Sequence, residues 1–175
     1  LLAFDPVQQA WRAQPADPGL TVATLAERVA RWSVLYQTLE AGLQGIPGLR
    51  LVTRPPEETY VGSSFQFLLP DWSDARIGLF LTRCIARGVE LKWFGADEPV
   101  AFTSRYDHWR YADPQSLPQT DRILKSLIDM RLPLTFTPDD VALIARILRA
   151  EALVVGQGPH RRRRGPAVLT GRLRA

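Results

Sequence analysis

From Leu25 onward, apolar residues fall at Leu25, Val29, Trp32, Tyr36, Leu39 and Leu43, in steps of 4, 3, 4, 3 and 4. That rhythm fits one buried stripe on a helix and cannot fit a strand, whose side chains alternate every second residue. It predicts a helix over 24–44, with Thr24 as N-cap, Glu27 closing a capping box, and Gly45 and Pro47 as the stop. A stripe of this length has to rest on another layer, and the remaining chain must supply it.

Three stretches read as strands. "LRLVT" (49–53) is followed, after the polar "RPPEETYVG", by "SSFQFLLP" (63–70), whose alternation places Phe65, Phe67 and Leu69 on one face. "VELKWF" (89–94) puts Val89, Leu91 and Trp93 on one face and Glu90, Lys92 and Phe94 on the other. Between them, Ser73 caps a helix with Ile77, Phe80, Leu81, Cys84 and Ile85 inward, and Gly88 ends it in a left-handed conformation. "SLPQTDRILKSLIDM" offers a short helix with Ser116 as cap and Leu124, Leu127 and Ile128 as its apolar positions, and "RLPL" a brief extended segment. The last helix is "TPDDVALIARILRAEA": Thr137 caps it, Pro138 opens it, and Val141, Ile144, Leu148 and Ala152 face inward. This order predicts an α+β domain, a small three- to four-stranded mixed or antiparallel sheet with helices on one face.

At 175 residues and 46% hydrophobic content, the chain suffices for one core. The expected organisation is a linker or irregular segment over 1–23, a domain over 24–155 and a basic, disordered tail over 156–175. The net charge of +4 belongs to that tail, because "HRRRRGPAVLTGRLRA" holds six arginines and no acid, which leaves 16 basic against 18 acidic residues elsewhere. Nucleic acid is therefore not an expected partner of the body; binding of nucleic acid or an acidic partner by the tail is the alternative. No run of about 20 apolar residues is present, so no membrane span is expected, and a cytoplasmic location is. One cysteine, Cys84, and two distant histidines offer no zinc set, and no metal is expected.

Chemistry has few candidates. No GxGxxG, P-loop, HExxH, GxSxG or CxxC phrase occurs. Of the two lysines, Lys92 lies on the outer face of its strand and Lys125 on the polar side of a helix, neither a setting for a Schiff base. Residues 88–111, "GVELKWFGADEPVAFTSRYDHWRY", hold six of the 16 aromatic residues among charged ones. His108 beside Asp107 is either an acid–base pair or a surface histidine. Trp93 either packs in the core or reaches a crevice at its strand end. Arg105 either clamps a carboxylate or phosphate or pairs with Asp107 or Glu98.

The phrases "RWSVLYQTLEAGLQGIPGLRL", "GSSFQFLLP", "RGVELKWFGADEP" with "FTSRYDHWRY", and "LPQTDRILKSLIDMRLPLTFTPDDVALIARIL" resemble the C-terminal portion of the DegT/DnrJ/EryC1/StrS aminotransferases, which are pyridoxal-phosphate enzymes of fold type I. The resemblance implies a small domain whose partner is a large domain, or a homodimer partner, carrying the cofactor and the catalytic lysine. It implies amino transfer to a small keto or sugar substrate, with no activity from this chain alone and no catalytic residue within it. The family's histidine-rich substrate phrase is replaced here by "LKWFGADEPVAFTSRYDHWRY". By the same resemblance, Trp93, Arg105 and Trp109 would line the substrate pocket.

Overall fold

The computed structural model describes residues 2–5, 10–13, 22–55, 57–58, 60–99, 105–109, 113 and 115–156. Strands β1 (Leu2–Asp5) and β2 (Ala10–Ala13) pair antiparallel, where the sequence suggests irregular chain. Helix α1 (Val22–Leu43) follows, then β3 (Arg50–Leu51), β4 (Ser64–Leu68), α2 (Asp74–Ile85), β5 (Lys92–Trp93), α3 (Pro118–Leu124), β6 (Leu127–Arg131) and α4 (Pro138–Gly156). The main sheet is antiparallel throughout, in the order β3-β4-β6-β5. The expected α+β class is therefore found, with the sheet resolved as four-stranded and antiparallel. Of the expected tail, Gly156 ends α4, while residues 157–175, like residues 100–104, lie outside the described residues.

One core holds these elements together. On β4 and β6, Phe65, Phe67, Ile128 and Met130 turn to the same side and meet Tyr36 and Leu39 of α1, Ile77 and Phe80 of α2, and Val141 and Leu148 of α4, all buried. Each such side chain removed from water contributes about 1.5–3 kcal/mol. The other sheet face is mostly polar along these strands, with Ser64 opposite Arg131 and Gln66 opposite Asp129, and Leu68 opposite Leu127 at its end.

Helix ends are tied by arginines from neighbouring elements. Arg149 on α4 donates to the carbonyls of Gly42 and Gln44 at 2.6–3.0 Å, satisfying the last turn of α1. Arg76 on α2 does the same for α4, donating to the carbonyls of Val155 (3.0 Å) and Gly156. Ser73 accepts from the Arg76 N–H as the N-cap of α2, and Gly88 has φ +81°, both as the sequence predicts. Thr137 and Asp140 cap α4 reciprocally, through Asp140 N–H to Thr137 Oγ1 at 3.2 Å and Thr137 N–H to Asp140 Oδ2 at 2.8 Å.

Four local expectations are corrected. Helix α1 begins at Val22, so Thr24 lies inside it and is not its cap. Leu25 is exposed because the core covers α1 only from Trp32 onward. Ile85 is exposed as well; it lies about 80° around the helix from Ile77, outside the Ile77–Phe80–Cys84 stripe. The helix expected through Met130 ends at Leu124, and Leu127–Arg131 form a strand paired on both sides.

Candidate functional site

Strand β5 ends at Trp93, and the chain turns at once through Gly95, which is buried. A Cβ on Gly95 would stand 2.6 Å from the Lys125 Cα and 2.7 Å from the Trp93 indole nitrogen, so only glycine lets the turn lie this close to the end of α3. The Trp93 Nε1–H donates to the Lys125 carbonyl at 2.8 Å, fixing the ring against that junction. Trp93 thus packs partly buried against the core, with its polar edge engaged.

Beside this turn lies a pocket of about 260 Å³ lined by Asp74, Gly95, Asp97, Arg105, Asp121 and Lys125. Arg105 on one wall leads into the 3-10 turn Tyr106–His108, which is moored to α3, because the Tyr106 hydroxyl donates to Asp121 Oδ1 at 2.8 Å and accepts from the Leu117 N–H at 3.3 Å. That bond to Asp121 raises the Tyr106 phenol above its ordinary range, as expected when a donor serves a carboxylate. Arg105 grips Asp107 with its planar fork, Nε to Oδ1 at 3.0 Å and Nη2 to Oδ2. The same bond holds the Asp107 carboxyl below the usual carboxylate range. The intrachain pairing foreseen as one alternative for Arg105 is present. Lys125 pairs with Asp74 at 3.4 Å.

Asp107 and His108 do not face each other as an acid–base pair. The Asp107 carboxylate serves Arg105, and His108 Nδ1 accepts the Arg105 backbone N–H at 3.3 Å. Trp109 follows the turn, 42% exposed, and does not line the pocket. Of the three site residues read from sequence, Arg105 lines the pocket, Trp93 backs it and Trp109 stands outside it. Asp121, Lys125 and Tyr106 belong to the same constellation and escaped sequence reasoning, since their contacts join positions 11 to 32 residues apart. Gly95 directly after a strand was the one available signal.

No protein-family model matches the sequence, and no curated protein matches it. Solved structures do share its fold. The aminotransferase TlmJ from Streptoalloteichus hindustanus superposes with a TM-score of 0.63 at 18% identity, over 77% of this chain and 34% of its own. The synthase of 3-amino-5-hydroxybenzoic acid gives 0.58 at 16% identity, over 75% of this chain and 36% of its own. DesV of S. venezuelae, solved in complex with a ketimine intermediate, gives 0.57 at 20% identity, over 75% and 33%. This chain has the fold of a portion of an aminotransferase. It spans about a third of the length of these three proteins.

The lysines do not fit a pyridoxal-phosphate anchor. A lysine that forms a Schiff base is desolvated and unpaired, whereas the Lys125 side chain is 64% exposed and ion-paired with Asp74. Lys92 lies on the polar sheet face opposite Asp129, away from the Arg105 pocket. Among the described residues no group of three or more metal-ligating side chains assembles, and no helix is long and apolar enough to cross a membrane.

Proposed function

We propose that this chain is the small-domain portion of a pyridoxal-phosphate-dependent aminotransferase of the DegT/DnrJ/EryC1/StrS kind, acting in amino transfer to a small keto or sugar substrate. The observation that carries this reading is the superposition on TlmJ over 77% of the chain, together with its span of about a third of that enzyme. On this reading residues 24–155 are the domain, while the cofactor and its lysine belong to a larger domain or a partner subunit outside these 175 residues. The cofactor supplies the electron sink. This chain supplies one wall of the substrate pocket. Trp93, locked by its bond to the Lys125 carbonyl, is a rigid backing. Arg105 would exchange Asp107 for an anionic group of the substrate, a swap between like carboxylate partners. Trp109, exposed beyond the turn, would contact the substrate from the rim.

The test mixes the purified chain with pyridoxal phosphate. The expected result is no protein-bound visible absorption after gel filtration and no amino transfer. A bound chromophore lost in Lys92→Arg or Lys125→Arg would overturn the reading, because the chain would then hold its own anchor.

A further inference from the structure

A second cleft, of about 330 Å³, opens where β5 leaves β6, on the opposite side of Lys92 from the Trp93–Gly95 turn. Its volume is at the small end of ligand pockets, roughly 300–1,000 Å³. The cleft has a clear cause. β5 pairs with β6 only at Lys92–Asp129 and Trp93–Ile128. Three residues before Lys92, the Val89 N–H is taken by the Cys84 carbonyl at 3.0 Å, and the Gly88 N–H by the Ile85 carbonyl at 2.9 Å, so the end of α2 pulls the chain off the sheet.

Among the described residues, that departure leaves the edge of β6 unpaired at Arg131. Leu132 N–H donates to Ser63 on the β4 side and Leu127 C=O accepts from Phe94 on the β5 side. By the alternation of an antiparallel strand, the N–H and C=O of Arg131 point into the cleft. Among the described residues only this one edge position is left unpaired, which suits a single amino-acid unit and not an added strand.

The side chains are equally incomplete. Asp129 is 6% exposed, and its Oδ1 accepts from Ser64 Oγ and from Gln66 Nε2 at 3.4 Å. Its Oδ2 accepts nothing from the described residues and is not sealed from solvent, and Asp129 is one of the residues that line the cleft. Lys92 stands directly across the ladder from Asp129, yet the two make no ion pair. Glu90 and Arg131, which would face each other if the ladder continued, also line the cleft. Cross-strand opposite charges normally close on each other; here both sets stay apart around an opening. Val89, Met130, Phe136 and Ile144 add an apolar wall.

The geometry points to a binding site for a free α-amino acid with an apolar side chain. Its ammonium group meets Asp129 Oδ2, its carboxylate meets Lys92 and the Arg131 N–H, and its side chain lies on the apolar wall. The site is separate from the Arg105 pocket and does not rest on the aminotransferase reading; a chain with no role in amino transfer would still bind.

The experiment is amide NMR of the full chain titrated with L-leucine, isoamylamine (no carboxylate) and isocaproate (no ammonium). L-leucine is expected to give saturable shifts at residues 88–92 and at Arg131, with each half-ligand at least about tenfold weaker, as loss of one charge-assisted contact implies. Lys92→Met should weaken L-leucine about tenfold with the spectrum otherwise intact, and Asp129→Asn at least as much. Should Asp129→Asn fail to fold, the Lys92 variant and the two half-ligands still decide. No saturable shift with L-leucine, equal binding of isoamylamine, or an unchanged Lys92→Met affinity overturns the proposal.

Discussion

Arg83 Nε lies 2.5 Å from Glu151 Oε2, and this contact, joined by Arg87 Nη1 to Oε1 at 3.0 Å, fastens α2 to α4 around a carboxylate that is only 5% exposed. Burial alone would push the Glu151 carboxyl up, but the hydrogen bonds from Arg87 and Arg83 outweigh it and hold the group below its ordinary 4.5. The unfolded chain then takes up the proton more readily. This contribution is complete above about pH 4.5 and drains away as pH falls through the lower folded value. Urea midpoints measured over that acid range should fall more steeply for the native sequence than for Glu151→Gln, and parallel slopes would refute the linkage. At neutral pH the variant should lose about 1–3 kcal/mol, toward the low end because both arginines are nearly half exposed and can return to water.

The crossing of α1 and α4 is set by Gly42, where an added Cβ would overlap the Ala145 side chain. Gly42→Ala gains about 1 kcal/mol of helix propensity but has to push the packed helices apart, at a cost of about 1–3 kcal/mol. The overlap should win and the melting temperature fall. Gly78, inside α2 with nothing within 4 Å of its would-be Cβ, is the contrast. Gly78→Ala should raise the melting temperature, and a fall in both variants would show that close approach is not what distinguishes them.

What the sequence revealed, and what it hid, follows from the range of the interactions. Ser73, Gly88 and the Thr137–Asp140 box act within a few residues, and their signals survive intact. Strand β6 was hidden because Leu124, Leu127 and Ile128 sit at helical spacing, while its own alternation, Ile128, Met130 and Leu132, is short. Only pairing with β4 and β5 makes it a strand. The pocket was half legible. Arg105 and its partner Asp107 are two residues apart, but Asp121 and Lys125 reach the same space through the fold.

Cys84 is fully buried in α2, and burial, with the nearby Glu151 charge, pushes its thiol up to about 12 against the opposing pull of Arg87 and Arg83. A thiol so protonated and covered is a poor nucleophile. At pH near 8, Ellman's reagent should leave the folded chain untouched and titrate one thiol promptly in denaturant. Rapid reaction of the native protein would mean that the α2 face opens far more often than its packing allows.

Arg105 is the residue on which the functional reading turns. Its fork is already formed and aimed by Asp107 on the pocket wall, and an exposed pair of this kind contributes little to stability. In a complete enzyme containing this domain, Arg105→Lys keeps the charge but loses the planar two-point grip. The value of kcat/KM should drop by the equivalent of about 1–3 kcal/mol, the loss of one charge-assisted hydrogen bond, while the melting temperature stays where it was. Asp107→Asn separates the two roles, since it frees the guanidinium and should leave kcat/KM unchanged or raised if substrate and Asp107 compete for it. If Arg105→Lys instead melts several degrees lower with unchanged kinetics, the arginine serves as a structural ion-pair partner that holds the 105–109 turn together through Asp107, and the turn is a cover over the end of the sheet with no hold on a substrate.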